Sequence, residues 1–228
     1  MHFAVIGASR GLGLSLTRAL LAEGHRVAAT ARAVSDALAA LGRDYEDHLL
    51  VLPCDAADED ATGAAAGKAA AFLGRIDAVC HNAGVLLDSD RTKKLHQSSI
   101  ADLRQTLDVN VVGPVITVQS FLPYVAQSGR FFVITSEGVG VTSCGSWVPA
   151  YALSKTAATK VCGIFNASMD DADFYAVHPG RMNTDMGRTT AQIEPEEAAQ
   201  GLLRLMTGLV PLSRRNWYID YHGAPMHA

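Results

Sequence analysis

Met1-His2-Phe3-Ala4-Val5-Ile6-Gly7-Ala8-Ser9-Arg10-Gly11-Leu12-Gly13-Leu14-Ser15-Leu16 opens the chain. Its first six residues read as a short buried strand. From Leu14 through Leu21 the apolar spacing is that of an amphipathic helix. Gly7, Gly11 and Gly13 stand between the two, with Ser9, Arg10 and Leu12 on the same turn. Strand, glycine-rich turn and helix in that order point to a site for a dinucleotide, the alternative being a purely structural turn. The glycines let the backbone turn tightly and let a pyrophosphate approach. The helix start adds unpaired N–H groups and a favourable dipole. The spacing is Gly-x-x-x-Gly-x-Gly, not the commoner Gly-x-Gly-x-x-Gly.

Beyond this unit, strand and helix patterns keep alternating. Strands are expected over 3–6, 26–30, 48–52, 76–80, 130–135, 173–177 and 217–220. Helices are expected over 12–22, 35–41, 59–73, 100–107, 114–126, 151–169 and 195–207. Such alternation implies right-handed crossovers and a parallel sheet covered on both faces. The expected fold is a single doubly wound α/β domain of Rossmann type, about seven strands wide, spanning residues 1–228. No internal repeat or linker marks a second domain. Ligands on such a sheet gather at the carboxyl ends of the strands. Gly7, Asn82, Ser136 and Pro179 each follow an expected strand, which points to one composite site.

Composition agrees. A chain of 228 residues can bury roughly 70% of its unfolded surface in one core. Hydrophobic residues make up 49% and charged residues 18%, as in a soluble globular protein. The net charge of −4, with no basic run, argues against nucleic acid or anionic membrane as partner. Cys54, Cys80, Cys144 and Cys162 are widely spaced and read as free thiols in a reducing compartment. The histidines show no metal-ligand spacing, so no metal is expected. With a strand starting at the N-terminus and no membrane-length apolar run, the expected location is cytoplasmic.

Tyr151-Ala152-Leu153-Ser154-Lys155 carries the chemistry. On a helix, residues i and i+4 share a face, so the phenol and the ammonium stand one turn apart. A nearby cation favours the phenolate, so Lys155 is expected to lower the Tyr151 pKa toward the range useful for general acid–base work.

The glycine turn and this pair together resemble the short-chain dehydrogenase/reductase family. Further stretches match in order: His81-Asn82-Ala83-Gly84 is similar to its Asn-Asn-Ala-Gly turn, and Asp108-Val109-Asn110-Val111 to its active-site Asn segment. Val133-Ile134-Thr135-Ser136 resembles the strand end with its catalytic Ser. His178-Pro179-Gly180, with Thr184 after it, resembles its nicotinamide-side turn. Within the family, the short chain and its Trp217–Gly223 ending resemble the small C-factor/sniffer-like carbonyl reductases.

The resemblance implies an oxidoreductase that interconverts a carbonyl and an alcohol. Tyr151 would be general acid and base, with Lys155 beside it and on the nicotinamide ribose. Ser136 would polarise the carbonyl, and Asn110 would hold a water linking Lys155 to solvent. Ser143 and Ser146 compete with Ser136, which lies fifteen residues before Tyr151. Gly7, Ser9, Arg10, Gly11, Leu12, Gly13, Asn82, Ala83, Gly84, Pro179, Gly180, Met182 and Thr184 would bind the cofactor. Asp55 either lies near the adenine or simply forms a turn. The stretch Glu137-Gly138-Val139-Gly140 is read as a glycine-rich turn beside the substrate.

Cofactor choice follows from Ala28-Ala29-Thr30-Ala31-Arg32, which lacks the acid that binds a ribose 2′-hydroxyl. Arg32 and Arg10 suit a 2′-phosphate instead, so NADP is expected over NAD. The polar stretch 88–99 reads as another rim of the pocket or, from its charges, as a solvated loop. The resemblance implies a small carbonyl or alcohol substrate and further copies of the chain, as homodimer or homotetramer, with Ala157, Ala158, Val161, Ile164 and Phe165 serving either that apolar interface or the internal core. The alternative is a nucleotide-binding regulatory protein with incidental turnover.

Overall fold

Apolar runs buried on both faces dictate the centre of the molecule. The strands are β1 (His2–Ile6), β2 (Arg26–Ala31), β3 (Leu49–Pro53), β4 (Ile76–His81), β5 (Val125–Ile134), β6 (Ala172–His178) and β7 (Tyr218–Asp220). They form one parallel sheet in the order β3-β2-β1-β4-β5-β6-β7. The structure, a computed structural model, describes residues 1–137, 140, 147–187 and 191–227. The expectations for Gly138, Val139, Ser143, Cys144 and Ser146 lie outside these residues.

The helices are α1 (Gly11–Ala22), α2 (Asp36–Asp44), α3 (Glu59–Leu73), α4 (Asp88–Thr92), α5 (Ile100–Leu107), α6 (Gly113–Phe121), α7 (Pro149–Ser168) and α8 (Pro195–Met206). Side chains alternate across a strand, and β1 shows the result. Phe3 and Val5 join a core with Leu16 and Leu20 of α1 and Leu202 of α8. Ala4 and Ile6 join a second core with Ala65 of α3, Phe121 of α6 and Ala158 of α7. Side-chain caps fix several starts: Ser35 accepts from Leu38 N, Asp58 from Ala61 N and Ser99 from Asp102 N.

Three segments depart from the sequence reading. The helix expected over 114–126 stops at Phe121, and a 3-10 turn, Leu122–Tyr124, holds Pro123. Proline removes a backbone donor and ends the α-helix there. β5 accordingly starts earlier than expected, at Val125, with an irregular register against β4 before Ala78↔Arg130. Between α5 and α6 the backbone widens into a π segment, Asp108–Val112. The stretch 88–99 is no mere solvated loop, for it contains α4, whose Asp90 is buried.

The strand order runs outward in both directions from the β1–β4 pair. The loops leaving those strands diverge and open a crevice at their carboxyl ends.

Candidate active site

Bare backbone forms the floor of that crevice. Gly7 adopts φ +88°, and a Cβ on it would stand 2.7 Å from Ala83 N and Cα. A Cβ on Gly13 would strike the Gly7 carbonyl oxygen and lie 2.6 Å from Asn82 Nδ2. Asn82 Nδ2 donates to that same carbonyl at 2.7 Å, tying the end of β4 to the glycine turn. No side chain caps α1, and its first turn carries no acid. Its leading N–H groups therefore suit an anion.

The cleft above this floor measures about 620 Å³, in the range of cofactor sites. It gathers Gly7, Ser9, Arg10, Gly11 and Leu12 from the first turn. Arg32 and Asp55 come from the ends of β2 and β3, and Asn82, Ala83 and Gly84 from that of β4. Tyr151, Lys155, Pro179, Met182 and Thr184 also line it. Gly13, Asn110, Ser136 and Gly180 are not among the lining residues. Gly13 serves the close approach just described, and Gly180, at φ +82°, packs against Ile193.

The inward face of α7 carries Tyr151, Lys155, Ala158 and Cys162, at the i, i+4, i+7, i+11 spacing of one helix face. Lys155 is 4% exposed, and its Nζ donates to the Ile134 carbonyl at 2.7 Å. Burial lowers its pKa to about 8 and raises that of Tyr151 to about 12. The expectation that Lys155 lowers the Tyr151 pKa is thus corrected for the protein alone. The ammonium lies 5.6 Å from the ring centroid and is engaged by Ile134, so desolvation of the phenolate dominates.

Asn110 sits in the π segment, buried. Its Nδ2 donates to Val85 O and Ser154 Oγ, and its Oδ1 accepts from Val85 N at 2.8 Å. Both side-chain donor hydrogens are therefore committed to protein partners. The side chain braces β4's exit loop against α7. A Cβ on Gly84 would lie 3.3 Å from both Asn110 Oδ1 and Lys155 Nζ, so these groups converge on that turn.

Ser136 lies two residues beyond the end of β5, and its carbonyl accepts from Tyr218 Oη at 2.8 Å. Asp55 lines the cleft, and its side chain accepts from Ala57 N at 3.1 Å in a tight turn. Arg10 is paired with Asp185 at 2.9 Å. Arg32 is exposed and makes no hydrogen bond or ion pair among the described residues.

Sequence reasoning missed three polar groups. The Thr30 and Thr135 hydroxyls are buried without a hydrogen-bond partner, in residues that line the cleft. Their position at strand carboxyl ends was a signal that could have found them. The third is Asp90, whose carboxylate accepts from Ala150 N at 3.0 Å and Tyr151 N at 2.8 Å. No local pattern announces a contact between groups 60 residues apart. The bare floor, the open helix start and the unpartnered hydroxyls fit a dinucleotide. Among the described residues no cluster of three or more His, Cys, Asp or Glu could hold a metal ion, and no helix is long and apolar enough to cross a membrane.

Comparison with known proteins gives the same direction. Residues 2–195 match the family model described as short chain dehydrogenase. The chain is 28% identical over 215 residues to 1-hydroxy-2-glutathionyl-2-methyl-3-butene dehydrogenase of Rhodococcus sp. (strain AD45), covering 91% of each. Among solved structures, a Burkholderia multivorans protein with bound NADP superposes with a TM-score of 0.87 at 24% identity, covering 100% of this chain and 99% of that one. The carbonyl reductase Sniffer of D. melanogaster gives 0.88 at 19% identity, with the same coverage. At those identities the structural likeness establishes the fold.

Proposed function

Because the chain belongs to the short chain dehydrogenase family, and so is a dehydrogenase/reductase acting on a small molecule, we propose that it interconverts an aldehyde or ketone with its alcohol using NADP(H). The observation that carries this reading is the pairing of half-buried Tyr151 with buried Lys155 on the wall of a cleft with a glycine-turn floor. The nicotinamide, when bound, supplies or accepts the hydride. Every other task falls to the chain's own side chains.

In the reductive direction Tyr151 gives its proton to the substrate oxygen, and in the reverse direction it takes that proton back. With its pKa pushed up to about 12, the phenol is fully protonated at neutral pH and ready to donate. Lys155, lowered to about 8, can exchange its proton near neutral pH and so restore the phenol. Its positive charge also stabilises the phenoxide left behind. Ser136, just beyond the end of β5, donates a hydrogen bond to the carbonyl oxygen and stabilises charge developing there. Asn110 acts as a brace that holds the loop after β4 against α7, next to Ser154 and Lys155.

The preference for NADP rests on charge. Residues 28–32 contain no acid to meet a ribose 2′-hydroxyl, and Arg32 stands exposed at the rim. Its planar fork suits a 2′-phosphate. Arg10 is a second cation, which a phosphate would draw from Asp185. The chain assembles with copies of itself and works in the cytoplasm.

Titration with NADPH and NADH, followed through Trp147 and Trp217 fluorescence, tests the cofactor reading. NADPH should bind at least about tenfold tighter, since one charge-assisted contact is worth roughly 1.5–3 kcal/mol. Tyr151→Phe should retain NADPH binding and lose a factor of about 10²–10⁴ in carbonyl turnover. Full activity in that variant would remove Tyr151 from the mechanism.

A further inference from the structure

We propose that Asp90 is a positioning residue for Tyr151, and that α4 sets the catalytic helix in place against the cleft wall at 182–186. The inference rests on reading Tyr151 as the general acid. Helix α7 has no cap of its own: Val148, at φ +43°, contributes no side-chain bond to the first turn. Asp90 supplies the cap from another element. Its carboxylate, 4% exposed, holds the amides of Ala150 and Tyr151 at 3.0 and 2.8 Å. A carboxylate at a helix start gains from the dipole and from charge-assisted bonding, so this joint is stiff. The next residue, Arg91, donates from Nη2 to the carbonyl of Met186 at 2.8 Å, and Met186 lines the cleft.

Two adjacent side chains of one short helix therefore grip the backbone beneath the phenol and the loop after β6. An ordinary cap would fix only the local turn. This one makes the position of Tyr151 depend on α4, and so on the wall that Arg91 holds. Misplacing a reacting group by about 1 Å can cost about 100-fold in rate.

Asp90→Asn keeps the shape but replaces one acceptor oxygen with an NH2 group. Ser99→Ala removes an ordinary cap from α5, where Ser99 Oγ accepts from Asp102 N at 3.0 Å, and serves as the stability control. Four properties are to be compared: melting temperature, amide hydrogen exchange, NADPH affinity, and turnover of 4-nitrobenzaldehyde.

Ser99→Ala should lower the melting temperature by about 2–4 °C and leave kcat unchanged. In Asp90→Asn, exchange at Ala150 and Tyr151 should accelerate about tenfold or more. Its kcat should fall about 10–100-fold, with NADPH affinity within about twofold of wild type. Arg91→Ala should instead weaken NADPH binding severalfold and leave the Ala150 and Tyr151 amides protected. Wild-type exchange or kcat in Asp90→Asn would overturn the proposal, as would an equal loss of kcat in Ser99→Ala. If the wild-type protein reduces no carbonyl, the oxidoreductase reading fails, while the exchange data still decide whether Asp90 fixes the Tyr151 backbone.

Discussion

Lys155 shows how burial sets chemistry at the scale of one residue. Its folded-state pKa of about 8 lies below the ordinary 10.5 because the interior penalises the ammonium. Between those values the unfolded chain binds the proton and the folded one does not, so this group's contribution to stability rises with pH. Below about 8 the penalty is complete, on the order of 3 kcal/mol. Lys155→Met should therefore be more stable than wild type near pH 7, by about 1–3 kcal/mol once the lost bond to Ile134 is counted. That advantage should shrink as pH rises from 8 toward 10. Buried Cys80 and Cys162, pushed up to about 12, titrate in both proteins and drop out of the difference. Urea denaturation at several pH values would measure the gap, and a gap independent of pH would refute the assignment. His81 is a second buried group, pushed down to about 3 by burial and then by the Lys155 charge. It stands neutral beside the site, its Nδ1 2.8 Å from Thr117 Oγ1.

Among elements, the joint between β1 and α1 leaves no room for a side chain. Gly13 lies in the first turn of α1, where alanine would ordinarily favour the helix by about 1 kcal/mol. Here a Cβ would meet the Gly7 carbonyl and Asn82 Nδ2. Both partners are fixed, the second by its own 2.7 Å bond to the first. Gly13→Ala should thus destabilise the protein, by about 1–3 kcal/mol, and weaken NADPH binding because the turn must shift. Denaturation midpoints and the NADPH titration check both effects. An alanine variant as stable as wild type would mean that α1 can slide away from the sheet at little cost. Helix α7 has a different division of labour. One face carries Tyr151 and Lys155 inward, and another presents Leu153, Ala157, Val161 and Ile164.

For the whole molecule that second face matters. Leu153 is 47% exposed and Ile164 55%, whereas Ala158 is fully buried and Phe165 packs on the core. Of the residues read as a self-association face, Ala158 and Phe165 therefore belong to the core, and Leu153 joins the outer stripe. Ile164→Glu should shift the assembly toward smaller species in light scattering while kcat stays within about twofold, since Ile164 is remote from the chemistry. A wild-type protein that is monomeric at tens of micromolar would end the self-association reading.

The fold was largely legible from residues 1–16 and the alternation after them, because buried parallel strands and glycine turns are written in local pattern. The same holds for the cleft residues at strand ends, which a parallel sheet must bring together, and for the shared face of Tyr151 and Lys155. Pro123 was also visible, yet the expected helix ran through it, since its apolar neighbours fit a helix as well as a strand. Other features depended on atoms far apart in sequence. The cap from Asp90 to α7, the pairing of Arg10 with Asp185, and the grip of Ile134 on Lys155 each need the folded chain to exist. So do the pKa values, because desolvation is a property of the packed interior. Sequence chose the groups and their order along the sheet. Tertiary structure decided what surrounds them, and with it their charge.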